Sequence, residues 1–270
     1  RDCAVVLAKQ QQAKILLGSA TPSLETYYNV KTNKYKLVEL TERYGNVVLP
    51  EIKLIDLKDK YFRKRMNGHF SDELIAGIST ALELGEQVIL FQNRRGFSPY
   101  VECITCGHVP NCPSCDVSLT YYKHKNQLRC HYCGYSIANP THCHACQSVE
   151  LTTKGFGTEQ IELELKTIFP DKNIGRMNQD TTRGKLKKEK IIDSFKNREV
   201  DILVGTQMLA KGLHFDNVTL VGILNADNLL NQPDFRAYER AFQMMTQVAG
   251  RSGRSEKKGL VMIQTYNVFH

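Results

Sequence analysis

Eight of the nine cysteines fall between positions 103 and 146 as four CxxC pairs: Cys103/Cys106, Cys112/Cys115, Cys130/Cys133 and Cys143/Cys146. A CxxC turn aims two sulfurs the same way, and two such turns close a tetrahedral thiolate cage around zinc. The eight therefore fill two four-thiolate sites with none left over. A disulfide scaffold suits a short secreted protein, and a redox centre needs one CxxC, not four clustered ones. Five of the eight histidines (His108, His124, His131, His142 and His144) lie in or near the same stretch. The cages are complete without them, so they read as residues of the turns, not ligands. Cys106-Gly107 and Cys133-Gly134 put glycine, which tolerates positive φ, directly after a second cysteine. SLTYYKHKNQLR, between Cys115 and Cys130, reads as strand, polar turn, strand. That hairpin would join the second and third pairs at its base and leave the first and fourth to meet outside it. Spacing alone leaves sequential and alternating pairings open. The ninth cysteine, Cys3, reads as a buried small hydrophobe.

A second chemistry belongs to Arg251 and Arg254 in TQVAGRSGR, flanked by Gly250 and Gly253. A guanidinium fits phosphate oxygens as a rigid planar fork, and its charge does not titrate away. On a phosphoryl group in transfer it acts as an arginine finger. Arg94 and Arg95 follow the apolar run QVILF, at the carboxyl end of an expected strand, where ligand loops of open α/β sheets lie. A surface turn with solvated arginines is the plainer alternative there. Alone, GSATPS (18–23) reads as a turn and helix cap, and Arg63-Lys64-Arg65 as a solvated loop.

The elements that must hold these groups can be read from periodicity. Residues 2–12 suit a short helix, and Ile15-Leu16-Leu17 an apolar strand leading into GSATPS. From Tyr35 to Leu57 the alternation suggests edge strands or an extended connector. After Ser71 a helical pattern ends at Gly85, a C-terminal cap, and QVILF follows as a buried strand. The helix–strand alternation resumes after the cysteines. GFGTEQIELELKTIFP is a glycine loop and a helix stopped by Pro170, and GKLKKEKIIDSFKNR an amphipathic helix with solvated lysines. DILVGTQMLAKGLHF gives a buried strand, a Gly-Thr-Gln loop and a short helix. VTLVGILNAD is another buried strand, RAYERAFQMMTQVAGRSGR is helical through Ala249, and GLVMIQTY is the last strand. Repeated units with buried apolar strands argue a parallel α/β sheet. Residues 101–148 then stand as an insertion between two of its elements.

The order of the pieces carries more than any one of them. GSATPS, NRRGF, GFGTE, GTQMLAKG and QVAGRSGR resemble successive motifs of superfamily 2 helicases. With an eight-cysteine insertion after NRRG, the chain resembles the primosomal replication-restart helicases from about residue 1 to 265. That resemblance implies a RecA-like parallel-sheet lobe 2 (51–100 and 149–270), a zinc-binding insertion (101–148) and the remnant of lobe 1 (1–50). It implies nested zinc sites: Cys103, Cys106, Cys143 and Cys146 in one, Cys112, Cys115, Cys130 and Cys133 in the other. Thr21 would couple nucleotide state to DNA. Asn93, Arg94, Arg95, Thr206 and Gln207 would lie near the DNA strand. Gly212 and Gly250 would approach the nucleotide, and Gln247, Arg251 and Arg254 would face the ATP phosphates. The implied cofactors are two Zn2+ and ATP with Mg2+. The implied activity is 3′-to-5′ movement on single-stranded DNA, fork unwinding and reloading of the replicative helicase, with forked DNA and primosome proteins as partners.

Two motifs of that family are absent: no GxxxxGK[ST] occurs, and no Asp-Glu motif precedes GSATPS. The phosphate-gripping lysine and magnesium-binding acid are thus expected ahead of Arg1, on a longer protein, and the chain alone is expected not to hydrolyse ATP. A non-catalytic zinc module for protein or nucleic acid is the competing reading, and it leaves five ordered motifs to coincidence. A translocase that does not separate strands is a third.

Composition sets the outer bounds. No apolar run reaches the length of a membrane span, and reduced cysteines with no targeting segment point to the cytoplasm. The formal charge of +8 suggests a polyanionic partner. Each zinc with four thiolates carries about −2, which lowers the total to about +4, so the charge supports nucleic acid only weakly.

Overall fold

The computed structural model describes residues 2–41, 48–92, 100–122, 125–130, 132–154, 158–177, 185–210, 215–232, 234–253 and 258–269. They fall into two compact units, Arg1–Thr41 and Glu42–His270.

The first unit holds α1 (Asp2–Gln10) and α2 (Leu24–Lys31). GSATPS runs into a helix cap, as read: Ser23 Oγ accepts the Thr26 N–H at 3.3 Å. The strand expected at Ile15-Leu16-Leu17 does not form, and Leu16 stays 91% exposed. A strand needs a neighbour for its N–H and C=O groups, and the described residues of this unit include no other strand. Cys3 is exposed, not buried, because neither helix of this small unit buries a side chain.

In chain order the second unit runs β1 (Glu51–Asp56), α3 (Leu57–Phe62), the short pair β2 (Met66–Asn67) and β3 (Phe70–Ser71), α4 (Asp72–Glu83), β4 (Gln87–Phe91), β5 (Tyr100–Cys103), β6 (Thr120–Tyr122), β7 (Gln127–Arg129), β8 (Ser136–Ala138), β9 (Leu151–Lys154), α5 (Thr158–Ile168), β10 (Ile174–Met177), α6 (Lys185–Lys196), β11 (Ile202–Gly205), a 3₁₀ turn (Gln207–Ala210), β12 (Val218–Ile223), α7 (Asp227–Leu230), α8 (Ala237–Ala249) and β13 (Leu260–Thr265). Six strands form one parallel sheet in the order β1-β13-β12-β4-β11-β10. β4, β11 and β12 are buried at every residue, as strands covered on both faces must be. β1 sits at the edge and is largely exposed, which fits the alternating pattern read around it.

Side-chain alternation along each strand builds two cores. Val88 and Leu90 of β4 and Ile202 and Val204 of β11 face Leu74 and Ile78 of α4 and Ile161 and Leu165 of α5. Ile89, Phe91 and Leu203 face Phe195 of α6 and Ala241 and Val248 of α8. The helices start and stop where local chemistry dictates. Ser71 Oγ accepts the Leu74 N–H at 3.2 Å to open α4, and Gly85 at φ +69° closes it.

Between β4 and α5 the chain leaves the sheet and returns through an antiparallel stem, β5 against β9, with Cys103 opposite Leu151. Beyond the stem, β6, β7 and β8 form a separate antiparallel sheet; β6 and β7 are the hairpin expected between Cys115 and Cys130. This segment has its own small core of Val101, Val117, Leu119 and Leu128. No helix among the described residues is long and apolar enough to cross a membrane.

Candidate metal centres and the edges of the parallel sheet

The four CxxC pairs adopt one backbone pattern. In each, the residue after the second cysteine donates its N–H to the carbonyl of the first: Gly107 to Cys103 (2.8 Å), Asp116 to Cys112 (3.1 Å), Gly134 to Cys130 (3.2 Å), Gln147 to Cys143 (2.9 Å). All four of these residues take positive φ: +72°, +48°, +78° and +62°. Each first cysteine then donates its own N–H to the carbonyl one residue further on, of His108, Val117, Tyr135 and Ser148. Glycine marks two of these turns in the sequence. Asp116 and Gln147 hide the other two, and only the register of the CxxC pairs could have exposed them.

The turns meet in the nested arrangement. Cys103, Cys106, Cys143 and Cys146 form one cluster and Cys112, Cys115, Cys130 and Cys133 the other, each with its sulfurs within 4.8 Å of one another. Sγ–Sγ separations are 3.6 Å for Cys103–Cys146 and Cys106–Cys143 and 3.5 Å for Cys112–Cys133. A tetrahedron with Zn–S of about 2.3 Å has edges of about 3.8 Å, so the cages suit zinc. The hairpin β6–β7 brings the second and third pairs together, which settles the pairing that spacing left open.

Local electrostatics also favour a cation. Burial works to raise the Cys130 thiol, but the N–H groups of Cys133 and Tyr132 and the neighbouring thiols outweigh it and bring it to about 7. The Tyr132 N–H lies 3.4 Å from Cys130 Sγ. Cys143 behaves alike: burial opposes, and the N–H groups of Cys146 and Ala145 help bring it to about 7. Their neighbours move the other way. The thiols Cys133, Cys130 and Cys112 around Cys115 push it up to about 12, with burial adding to the effect, and burial leads the rise at Cys106. Four thiols so close cannot all ionise unaided. A bound zinc supplies the positive charge that holds four thiolates together.

The insertion is tied to the sheet at several points. A Cβ added to Gly107 would lie 2.4 Å from Tyr266 Cβ, so the first turn packs directly on the residue after β13. Tyr100 on the stem donates its hydroxyl to Asn228 of α7. Burial, then the Glu102 and Asp227 carboxylates, holds that phenol well above its ordinary range. Asp227 in turn accepts Thr265 Oγ1 at 3.0 Å and the Tyr266 N–H at 2.8 Å. Tyr132, in the third turn, meets Phe235 edge to face with ring centroids 6.4 Å apart. Its hydroxyl accepts the Phe235 N–H at 3.4 Å. Sequence reading singled out neither α7 nor this contact, because both are long-range pairings with no local signal.

Because every sheet strand is parallel, the sheet has one carboxyl edge and one amino edge. Thr206 and Gln207 follow β11 at the carboxyl edge, where Thr206 is buried. Arg251 follows α8 at the other end of the sheet: Gly253 N–H binds Val218 C=O at 3.1 Å, and Ser252 Oγ binds Thr219 C=O at 3.0 Å. The expected DNA-facing and phosphate-facing residues are therefore not one cluster. They are joined by α8, which carries Gln247 in its last turn, is closed by Gly250 and packs with Met208 and Leu209 of the 3₁₀ turn. Asn93, Arg94, Arg95, Gly212 and Arg254 lie outside the described residues, as do His124 and His131.

Comparison with known proteins agrees with this construction. Residues 112–137 match the PriA DNA helicase Cys-rich region (CRR) domain, which spans all four cysteines of the second cluster. Residues 146–256 match the helicase conserved C-terminal domain. The chain is 44% identical over 270 residues to replication restart protein PriA of Bacillus subtilis, covering 100% of this chain and 33% of that protein. It is 46% identical over 270 residues to replication restart protein PriA of Haemophilus influenzae, covering 36% of that protein. The chain thus spans about a third of the length of these curated relatives. A solved structure of S. cerevisiae Dbp5 bound to RNA and ADP BeF3 aligns with 98% of this chain and 49% of that chain at 13% identity, with a TM-score of 0.48, too low to bear on function. From end to end the chain is similar to replication restart proteins named PriA, and it matches both the PriA Cys-rich region and a helicase conserved C-terminal domain.

Proposed function

We propose that this chain supplies the second motor lobe and the two-zinc element of an ATP-driven DNA helicase that works in replication restart. The observation that carries this reading is the end-to-end likeness to PriA, at 44% and 46% identity, on a chain whose cysteines form the two expected cages. In this reading the intact protein moves 3′ to 5′ on single-stranded DNA, remodels stalled or abandoned forks and helps assemble the primosome that reloads the replicative helicase.

Enzymes that transfer phosphoryl groups catalyse mainly by positioning and charge stabilisation. Arg251 and Arg254 would place guanidinium groups on the γ-phosphate of ATP, and Gln247 would orient them or the attacking water. Gly212 and Gly250 would let backbone approach the nucleotide. Among the described residues, the groups of three or more metal-ligating side chains are the two cysteine sets. With no GxxxxGK[ST] and no Asp-Glu motif ahead of GSATPS in this sequence, Mg2+ and the phosphate-gripping lysine would belong to the partner lobe, and ATP would close the two lobes on each other. α8 has 13 residues, about 20 Å at 1.5 Å each, and would link the phosphate end to the carboxyl edge where Thr206 and Gln207 follow β11; Asn93, Arg94 and Arg95 would contact the same DNA.

The test is DNA-stimulated ATP hydrolysis by the intact protein with and without Arg254→Ala. Loss of an arginine finger is expected to lower turnover about 10³–10⁵-fold while DNA binding persists. Unchanged turnover would sink the assignment, as would DNA-stimulated hydrolysis by the 270-residue chain alone.

A further inference from the structure

α8 is built against the usual logic of a surface helix. Its inner face is apolar, with Ala237, Ala241 and Val248 buried. The outer face should then be polar, yet it carries Tyr238 and Phe242, 49% and 64% exposed, one turn apart. Phe235, just ahead of the helix, is 69% exposed, and Tyr132 from the third cysteine turn, 52% exposed, touches it. Two chain segments separated by about a hundred residues thus meet in an aromatic pair, and Phe235, Tyr238 and Phe242 follow one another at spacings of three and four residues. Exposed rings gathered at the start of a surface helix mark an interaction surface.

The chemistry of the line selects its occupant. Flat rings dominate it, and no exposed leucine, isoleucine, valine or methionine of α8 accompanies them. The guanidinium of Arg236 lies over the Phe235 ring at 5.2 Å. Rings interleaved with guanidinium planes are what unpaired bases stack on. The line also begins at the carboxyl edge of the sheet, the edge of Thr206 and Gln207. We infer that Tyr132, Phe235, Tyr238 and Phe242 form a stacking rail for the bases of single-stranded DNA, shared between the zinc insertion and the motor lobe. This inference rests on the DNA-helicase reading above.

The rail supplies faces and no net charge: Asp234, Arg236, Glu239 and Arg240 cancel, and Arg240 is paired with Asp234. Attraction for phosphates must come from elsewhere on the protein. Removing a ring should therefore weaken binding by a factor that is the same at every salt concentration.

The experiment compares binding of the intact, zinc-loaded protein to an oligothymidine strand and to an abasic strand of equal length and charge. Phe235→Ala and Phe242→Ala should each weaken oligothymidine binding about 5- to 150-fold, the loss expected for one base–aromatic stack. Abasic binding and the salt slope should stay unchanged, and Phe235→Trp should restore affinity. Tyr238→Trp adds an indole to a stretch with no tryptophan, and relative to the unsubstituted protein oligothymidine should add quenching that the abasic strand does not. That readout holds even where an alanine variant folds poorly. Equal weakening on both strands, or no weakening and no added quenching, would overturn the rail while leaving the helicase reading intact. Failure of the unsubstituted protein to bind either strand would overturn both.

Discussion

At the scale of single residues, the cysteine turns show how much one backbone angle decides. Gly107 and Gly134 occupy equivalent positions and share positive φ, yet their surroundings differ. A side chain at Gly107 would collide with Tyr266 as well as strain the backbone. At Gly134 the nearest atom is Arg129 Nη2, at 3.5 Å, the far end of a flexible side chain. Left-handed backbone costs a residue with a Cβ roughly 1–2 kcal/mol. Gly134→Ala is therefore expected to lose about that much stability, and Gly107→Ala clearly more, with the zinc stem loosened from β13. Denaturant unfolding of the two zinc-loaded variants, side by side, measures the difference; equal losses would mean that the packing of Gly107 on Tyr266 contributes nothing. Sequence pointed to glycine at both positions but could not rank them, because the ring that distinguishes them lies more than a hundred residues away.

At the scale of elements, the sheet strands were readable and the insertion's attachments were not. β4, β11 and β12 are buried throughout and apolar apart from Gln87 and Thr219, because both their faces are covered, and a run of that kind needs no partner to be recognised. Which face each side chain takes is also fixed by alternation, so Leu90 falls on the α4/α5 side with no exposed surface. Leu90→Ala is expected to cost about 2–5 kcal/mol, since it removes buried methyl groups and leaves a cavity. Leu84→Ala, at a site 66% exposed just past α4, should change stability by no more than about 0.5 kcal/mol. Urea midpoints of the two variants check the contrast. The same reasoning failed at Ile15-Leu16-Leu17, where an apolar run without a neighbouring strand stays exposed.

At the scale of the whole second unit, two separate ordering principles meet. The parallel sheet rests on hydrophobic burial across two cores, whereas the insertion has one small core and two thiolate cages. Structural zinc commonly contributes about 10–16 kcal/mol of apparent binding energy, more than a core of a few side chains can replace. Chelating zinc is therefore expected to strip amide-exchange protection from β6, β7 and β8 while β4, β11 and β12 keep theirs. Hydrogen exchange with and without chelator makes the comparison, and joint loss of both regions would show that the insertion is needed for the sheet. The ties through Tyr100, Gly107 and Tyr132 lie outside the cores of the sheet.

The division between what sequence determined and what tertiary structure decided follows from range. Ligand type, the number of cysteine cages, parallel sheet, helix caps and motif order are local properties, legible in the spacing of cysteines, the length of apolar runs and single capping residues. Nesting of the two cages was legible in part, because the hairpin between Cys115 and Cys130 is itself local. Three things needed the fold: Arg251 stands at the sheet's amino edge, away from Thr206 and Gln207; the insertion packs on Tyr266 and α7; and Tyr132 reaches Phe235. Each is a contact between segments far apart in the chain, set by how strands order and helices cross back, and periodicity carries no record of it.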